Sequence, residues 1–196
     1  FTCTNNASVI SKVLLQADGK ILIIGIFTTV GGATRNRMAR LNSDGSLDAT
    51  FPDLSPDGLI HTMALQSDGK ILVGGGFSTI GGVSANRIVR LNTNGTVDGT
   101  FSGSMNSPVY SILILDDGKI LVGGISSVYG PGKGMTVRLN TDGTLDAGYA
   151  LGSSIVGSTD SVYSMAVQSD GKYIIGGSFS KVNGTSKSNI ARLNSD

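Results

Sequence analysis

Two short motifs recur along the chain at matching intervals. Asp-Gly-Lys recurs with steps of 50, 49 and 53 residues, beginning at Asp18, Asp68, Asp117 and Asp170. Arg-Leu-Asn recurs with steps of 50, 48 and 54 residues, beginning at Arg40, Arg90, Arg138 and Arg192. Because two independent markers keep one period, the chain consists of four tandem copies of a single unit. Their approximate bounds are 1–51, 52–101, 102–149 and 150–196.

The sequence pattern of each copy predicts short antiparallel strands and no helix. An apolar first strand such as 162–168 is followed by an Asp-Gly pair, which predicts a two-residue type I′ hairpin. The second strand, as in 70–75, ends in a double glycine that predicts a bulge or a close approach of neighbouring backbone. A loop such as 78–86 leads to a third strand such as 87–92. A segment such as 47–51 has the length of a short fourth strand.

Sheets of three or four short strands cannot bury both of their faces alone, so stacking against neighbouring copies is expected. A period of about fifty residues lies in the range of β-propeller blades. A β-solenoid is the alternative, but its strands are parallel, whereas Asp-Gly turns require antiparallel hairpins. The sequence therefore predicts an all-β fold of β-propeller blades, arranged as a single repeat domain over 1–196.

The same segments resemble the delta-60 repeat, a bacterial propeller-type repeat of large secreted and cell-surface proteins. The resemblance rests on 65–77, 86–92 and 47–51 and extends over nearly the whole chain. It implies a β-propeller at the cell surface, and it brings no agreed activity and no catalytic residues. The third copy departs most from the pattern because 125–134 lacks the usual Phe and Asn, so a loop of different shape is expected there.

The two ends of the chain fall inside the repeat unit. Phe1 aligns with Phe51 and Phe101, and Asp196 aligns with Asp44 in the turn after the third strand. This pattern predicts a piece of a longer array of repeats. A four-bladed ring, or two chains joined as an eight-bladed ring, are the alternatives.

Charge and composition narrow the class of function. The formal net charge is +1 and charged residues make up 15% of the chain, so no strong field is available to hold nucleic acid. No apolar run reaches the roughly 18 residues of a membrane-spanning helix. Cys3 is the only cysteine, so no intrachain disulfide forms. A surface rich in Ser, Thr, Asn and Gly predicts an extracellular or cell-surface bacterial protein.

The candidate recognition residues share one position in the repeat. General acid–base catalysis needs paired groups in different environments, and the chain has one histidine, His61, with most acidic residues in turn motifs. His61 aligns with Ser11, Tyr110 and Tyr163 in the other copies. Two interpretations stay open. The position is either partly buried on an inner strand, or it presents four differing side chains near one rim as a ligand-binding surface.

Oxygen-rich strings follow the third strands. They place Asn or Asp at alternate positions, namely Asn42, Asp44 and Asp48, then Asn92, Asn94 and Asp98, then Asn140, Asp142 and Asp146. Calcium binding is one interpretation, because Ca²⁺ takes six to eight oxygen ligands. In the alternative no cofactor is bound, Asp44, Asn94 and Asp142 shape turns, and the later Asp of each string accepts hydrogen bonds from nearby amides.

Charged residues recur beside the two marker motifs. An arginine in an apolar strand needs a partner, so each Arg of Arg-Leu-Asn is predicted to pair with the Asp of the following Leu-Asp or Val-Asp segment. The lysines of Asp-Gly-Lys follow turns and are predicted to face solvent. They are Lys20, Lys70, Lys119 and Lys172.

The preferred function is a non-catalytic cell-surface module for protein binding, adhesion or assembly. The first alternative is a carbohydrate-binding, lectin-like propeller, and the second is an enzyme that uses the propeller channel. The expected partner is a protein or glycan on a surface, together with self-association that completes a ring or an array. Nucleic acid binding and membrane insertion are not expected.

Overall fold

A computed structural model describes residues 2–4, 8–125, 135–149, 160–182 and 184–194. The regular elements among these residues are β-strands that pair only antiparallel, which confirms the predicted all-β fold. No helix in the described part of the chain has the length and apolar character required to cross a membrane. A loop of different shape is predicted within 125–134. Of this segment only residue 125 is among the described residues, so the prediction is not tested.

The strands are numbered here in chain order. They are β1 (Cys3–Thr4), β2 (Val9–Leu15), β3 (Ile21–Ile26), β4 (Thr29–Val30), β5 (Ala33–Thr34), β6 (Met38–Leu41), β7 (Ile60–Leu65), β8 (Ile71–Gly75), β9 (Thr79–Ile80), β10 (Val83–Ser84), β11 (Ile88–Leu91), β12 (Val109–Ile114), β13 (Ile120–Gly124), β14 (Thr136–Leu139), β15 (Ser161–Val167), β16 (Tyr173–Ser178), β17 (Lys181–Val182), β18 (Thr185–Ser186) and β19 (Ile190–Leu193).

Each repeat forms one three-stranded antiparallel sheet with its second strand in the middle. The four sheets have the orders β2-β3-β6, β7-β8-β11, β12-β13-β14 and β15-β16-β19. The chain divides into two compact units, Phe1–Gly99 with the first two repeats and Thr100–Asp196 with the last two. The prediction of a single domain stays a prediction.

Two details of the repeat differ from the sequence-based prediction. The predicted loop after the second strand contains a two-stranded hairpin, β9-β10 in the second repeat, with counterparts β4-β5 and β17-β18. The predicted fourth strand is reduced to one bridge, such as Leu41 with Leu47 or Leu91 with Val97. The chain turns away there because Asp48 and Thr50 form a local hydrogen-bonded turn.

The hairpin between the first two strands is not the predicted type I′ turn. In the second repeat the Gly69 N–H donates to the Gln66 carbonyl at 2.9 Å, and Gly69 has a φ of 80°. The preceding Ser67 and Asp68 do not have positive φ. The turn is therefore a three-residue loop in which only the glycine adopts the left-handed conformation. The Asp68 carboxylate accepts from the Lys70 N–H at 3.0 Å and stabilises it.

The apolar core lies between the sheets of consecutive repeats. In the first unit, Leu22, Ile24 and Met38 of one repeat pack with Met63 and Val73 of the next, and all five are buried. The second unit repeats this pattern between β13 and β16. Two neighbouring sheets thus bury in each other the faces that neither could bury alone, as predicted.

The double glycine of the second strand allows the first strand to bulge against it, as predicted. The pairing runs Ile60 with Gly75 and then Thr62 with Gly74, so one residue of β7 is left over. A Cβ atom on Gly75 would overlap the carbonyl oxygen of Leu59. A side chain there is incompatible with the bulge, so the position requires glycine.

We predict that Gly75→Ala destabilises the protein by about 3 kcal/mol, because the added methyl group must displace backbone rather than a side chain. Gly99→Ala is the matched control, since a Cβ there meets nothing within 4 Å. Urea unfolding followed by circular dichroism measures both variants. Equal stability of the two variants would contradict the role assigned to Gly75.

Candidate functional site

The leftover residue of the bulge is the candidate recognition residue in every repeat. The pairing register skips one residue of each first strand. The skipped residues are Ser11, His61, Tyr110 and Tyr163, the four that align in the sequence. A bulge leaves its extra residue unpaired in the ladder and re-aims the side chain. The same bulge therefore presents three kinds of side chain in the four repeats, namely serine, histidine and tyrosine.

In the first unit this position carries polar groups on neighbouring strands. β2 and β7 lie next to each other. Ser11 is exposed, and its Oγ donates to the Ile24 carbonyl oxygen at 3.2 Å. His61 is half-buried, and burial lowers the pKa of its imidazole. The imidazole is therefore neutral at pH 7 and carries both a donor and an acceptor nitrogen.

A lysine that the sequence analysis did not single out adjoins this position. Lys12 follows the bulged Ser11, and its Nζ donates to Thr62 Oγ1 at 3.2 Å, which joins the first two repeats. Burial lowers the pKa of the Lys12 ammonium group. Its counterparts in the other repeats carry hydroxyl groups instead, as in Thr62 and Ser111.

In the second unit the bulge position carries two aromatic rings in contact. The ring centroids of Tyr110 and Tyr163 are 5.3 Å apart, and the ring planes meet at 59°. This tilted geometry is favourable for an aromatic pair. Tyr163 is 54% exposed and Tyr110 is half-buried. The pair therefore presents an aromatic surface to solvent, with Tyr163 as its more exposed ring.

The marker motifs meet at one buried carboxylate in each of the first three repeats. In the first repeat Asp48 Oδ2 accepts from Arg40 Nε at 2.8 Å and from Lys20 Nζ at 2.9 Å, while its Oδ1 accepts from the Thr50 N–H at 3.0 Å. Asp98 and Asp146 occupy the same position in the next two repeats. The predicted arginine–aspartate pairs are confirmed for Arg40, Arg90 and Arg138.

The prediction that the lysines face solvent is wrong for these three repeats. The side chains of Lys20, Lys70 and Lys119 are only 30–33% exposed, and each Nζ lies 2.9 Å from the carboxylate. The turn before each lysine directs its side chain back over the sheet to the aspartate. The lysine and the aspartate are nearly thirty positions apart in the chain, so local sequence does not reveal their contact.

The carboxylates of Asp48 and Asp146 have lowered pKa values, so both are ionised at neutral pH. Burial alone would raise the pKa of Asp48, but hydrogen bonds from Thr50, Lys20 and Arg40 outweigh burial and hold the pKa well below its usual range. Hydrogen bonds from Lys119 and Arg138 likewise lower the pKa of Asp146 to about 2. These groups hold the repeat together, since each neutralises a half-buried or buried arginine.

The fourth repeat has a different arrangement. Arg192 donates to Gln168 Oε1 at 2.6 Å and to Asp170 Oδ2 at 2.5 Å, and its side chain is 50% exposed. Its counterpart Arg40 is buried, stacks 4.7 Å from the ring centroid of Phe51 and donates to the Thr93 carbonyl oxygen of the next repeat.

The oxygen-rich strings form hydrogen-bonded turns, whereas calcium binding stays an untested interpretation. Asp44 Oδ1 accepts from the Ser46 N–H at 2.8 Å, and Asn94 and Asp142 make the same bond two residues on. The amides of Asn42 and Asn140 donate to hydroxyl groups across the same turns. Across the described ranges, no three His, Cys, Asp or Glu residues gather in a way that could hold a metal ion.

A family model matches most of the chain in four segments. Its description is "Domain of unknown function (DUF5122) beta-propeller", and it matches 16–51, 66–101, 115–149 and 168–196. Each segment begins near the end of a first strand and contains the rest of its repeat. No curated protein matches the chain in sequence.

Several solved structures of bacterial proteins are similar to this chain. A virginiamycin B lyase from Staphylococcus aureus, in a catalytically inactive form with quinupristin, aligns with 99% of this chain at 18% identity and a TM-score of 0.60. PorZ, a surface component of the type-IX secretion system of Porphyromonas gingivalis, aligns with 95% at 15% identity and a TM-score of 0.61. The extracellular domain of a putative hybrid two component system from B. thetaiotaomicron aligns with 94% at 15% identity and a TM-score of 0.53.

These likenesses concern the fold. The chain spans 58%, 26% and 20% of the lengths of the three structures, respectively. Together with the four matched repeats they show that the predicted β-propeller fold is correct.

We predict that Asp48→Ala costs about 3 kcal/mol of stability, because it leaves the buried Arg40 without its carboxylate. Lys20→Met is the control and costs about 1 kcal/mol or less, since Lys20 is partly exposed. Urea unfolding measures both. The pKa of Asp48 is lowered in the fold, so its contribution is present above the pKa of about 4 of an unfolded Asp and declines below it. The difference in free energy of unfolding between wild type and Asp48→Ala should therefore become smaller in acid. A difference that does not change with pH would contradict this account.

We predict that His61 titrates below the pKa of about 6.5 of an unfolded histidine, since its pKa is lowered by burial. The histidine resonance in proton NMR measures this directly, because His61 is the only histidine. The unfolded chain takes up the proton first, so His61 costs stability as pH falls through about 6.5. His61→Asn should remove that part of the pH dependence. A midpoint above 6.5 would show that an unseen partner stabilises the charged form.

Proposed function

Because the chain belongs to the DUF5122 β-propeller family, we propose that it is a non-catalytic binding module of the bacterial cell surface. In this proposal it recognises a protein partner through the side chains at its β-bulges. The observation that carries the proposal is that all four repeats form the same bulge, while the bulged residue is serine in one, histidine in another and tyrosine in two. A fixed backbone with varied side chains at one position is what a recognition surface requires.

The chemistry of the described residues favours binding over catalysis. A carboxyl group that acts as a general acid needs a raised pKa. Every described carboxyl group with a clear shift has a lowered pKa, because hydrogen bonds stabilise its charged form. The likeness to virginiamycin B lyase is at 18% identity and supports the fold rather than its reaction.

The cell-surface location is part of the proposal. It is supported by PorZ, which is a bacterial surface component, and by the extracellular domain of the putative hybrid two component system. A low net charge and a surface rich in Ser, Thr and Asn fit the same location. We further propose that the unit is the delta-60 repeat and that the module needs no cofactor, because its turn carboxylates are occupied by backbone amides.

A glycan is the second candidate ligand, and the contact between Tyr110 and Tyr163 favours it. Aromatic rings stack on the apolar faces of sugars, and phenol groups bond to hydroxyls. The exposed ring of Tyr163 meets both requirements. The other unit offers a serine and a histidine at this position, so this platform is confined to the second unit.

The test uses fluorescently labelled chain and intact cells of the source organism. Protease treatment of the cells should abolish binding if the partner is a protein, whereas periodate, which cleaves sugar diols, should abolish it if the partner is a glycan. Each measurement is made with and without EDTA, and unchanged binding is expected in EDTA. No binding to untreated cells would overturn the proposed function.

We predict that Tyr163→Ala and His61→Ala each weaken cell binding by about tenfold or more, as loss of a central contact residue does. Val83→Ala is the matched control, because Val83 is exposed on β10 and is not a bulge residue. Binding isotherms from flow cytometry compare the three variants. If Val83→Ala weakens binding as much as the others, the bulges are not the recognition surface.

A further inference from the structure

Lys12 holds a half-buried ammonium group between the first two repeats. In the pairing of β2 with β3, Lys12 lies opposite Ile24 and Leu14 lies opposite Leu22, so these four side chains share one face of the sheet. Leu22 and Ile24 belong to the core that the first two repeats form together, and Leu14 packs against it. The second repeat therefore covers the face on which Lys12 lies, and the surroundings of Lys12 on that face come from residues that the structure describes.

The ammonium group of Lys12 has a neutral partner instead of a carboxylate. Its Nζ donates to Thr62 Oγ1 at 3.2 Å, and among the described residues no carboxylate forms an ion pair with it. By contrast, the lysines of the Asp-Gly-Lys motifs in the first three repeats each lie 2.9 Å from an aspartate. Burial of an ammonium group without an opposite charge costs free energy, and burial accordingly lowers the pKa of Lys12.

The bulge does not need a lysine at this position. Lys12 directly follows the bulged residue of its repeat, and the residues that follow the bulge in the other repeats all carry hydroxyl groups. They are Thr62, Ser111 and Ser164. Three repeats thus form the same bulge without burying a charge. A feature that costs stability and that the fold does not require is typical of a functional site.

The chemistry of Lys12 favours a ligand with one negative charge. An ammonium group has three N–H donors, and one of them bonds to Thr62, so the others are available to a ligand. Among Ser11, Lys12, His61 and Thr62, which form the two neighbouring bulges, only Lys12 is charged at pH 7, because His61 is neutral. A carboxylate carries one negative charge, whereas a phosphate monoester carries about two. A carboxylate therefore matches the single ammonium group.

We propose that Lys12 binds the carboxylate of an Asp or Glu side chain on the protein partner. The identity of the partner rests on the proposed function, whereas the carboxylate site is a property of the chain itself. The bond would give Lys12 the kind of partner that Lys20 already has in Asp48. It would also form beside a packed core, where water screens a charge pair less than on an open surface.

An acetate titration tests the carboxylate site without any partner. The ¹⁵N-labelled chain is titrated with sodium acetate at pH 7, and in parallel with sodium chloride, while backbone amide signals are followed by NMR. The signals of Lys12 and Thr62 should shift saturably with acetate and not with chloride. Lys12→Met should abolish the saturable shift of the Thr62 signal. Lys181→Met is the matched control and should keep it, because Lys181 is an exposed lysine of β17.

The second test uses the binding of labelled chain to intact cells. Lys12→Met should weaken binding by about tenfold or more, as loss of one partner of a desolvated charge pair does, whereas Lys181→Met should bind as wild type does. Conversion of cell-surface carboxyl groups to amides with carbodiimide and ethanolamine should weaken binding of wild type and leave the residual binding of Lys12→Met unchanged. Urea unfolding verifies that Lys12→Met folds, which is expected because methionine keeps the apolar part of the side chain.

The results separate the carboxylate site from the proposed function. A wild type without a saturable acetate shift, or a shift that persists in Lys12→Met, would overturn the site. Equal cell binding of wild type and Lys12→Met would overturn the role of Lys12 in recognition and leave the proposed function standing. Absence of cell binding by wild type would overturn the proposed function, and the acetate titration would still decide the site. Binding that survives protease but not amidation would place the carboxylate on a glycan and overturn its assignment to a protein.

Discussion

A three-stranded sheet with apolar side chains on both faces cannot remain alone in water, and the rest of this structure depends on that constraint. Leu22, Ile24 and Met38 point to one side of the first sheet, and they are buried only because Met63 and Val73 of the second sheet lie against them. Each repeat thus supplies half of a core and needs a neighbour to complete it.

The bulge is the second constraint, and it connects the fold to function. A glycine near the end of the second strand, such as Gly25, Gly75 or Gly177, admits the carbonyl oxygen of the first strand so closely that no side chain fits. One residue of the first strand then drops out of the ladder. Because the backbone alone creates this geometry, the identity of that residue is free to vary. Histidine, serine and tyrosine all occur there without loss of the bulge.

The marker motifs that reveal the period have one common cause. The Arg of Arg-Leu-Asn and the Lys of Asp-Gly-Lys both bond to the Asp that follows the third strand, as Arg40 and Lys20 bond to Asp48. A buried carboxylate with two cations and a turn amide has its hydrogen bonds satisfied, so it orders the third strand and the following turn without leaving an unpaired charge. In the fourth repeat, Arg192 bonds to Gln168 and Asp170 of the preceding hairpin, and both of these groups are exposed.

Periodicity and turn chemistry were enough to predict the repeat, the all-β class and the face-to-face stacking of the sheets. They were also enough to align His61 with Ser11 and the two tyrosines. The sequence did not reveal that this position is the bulge itself, although the double glycine signalled a bulge nearby. The predicted type I′ turn is a three-residue loop, and the predicted loop after the second strand contains the hairpin β9-β10. The lysines that were predicted to face solvent bond to carboxylates in the first three repeats. Only the tertiary structure decided the contact of Tyr110 with Tyr163, the bond from Lys12 to Thr62 and the burial of Lys20 against Asp48. These contacts join residues far apart in the chain, and their geometry depends on how sheets stack, which local sequence patterns do not encode.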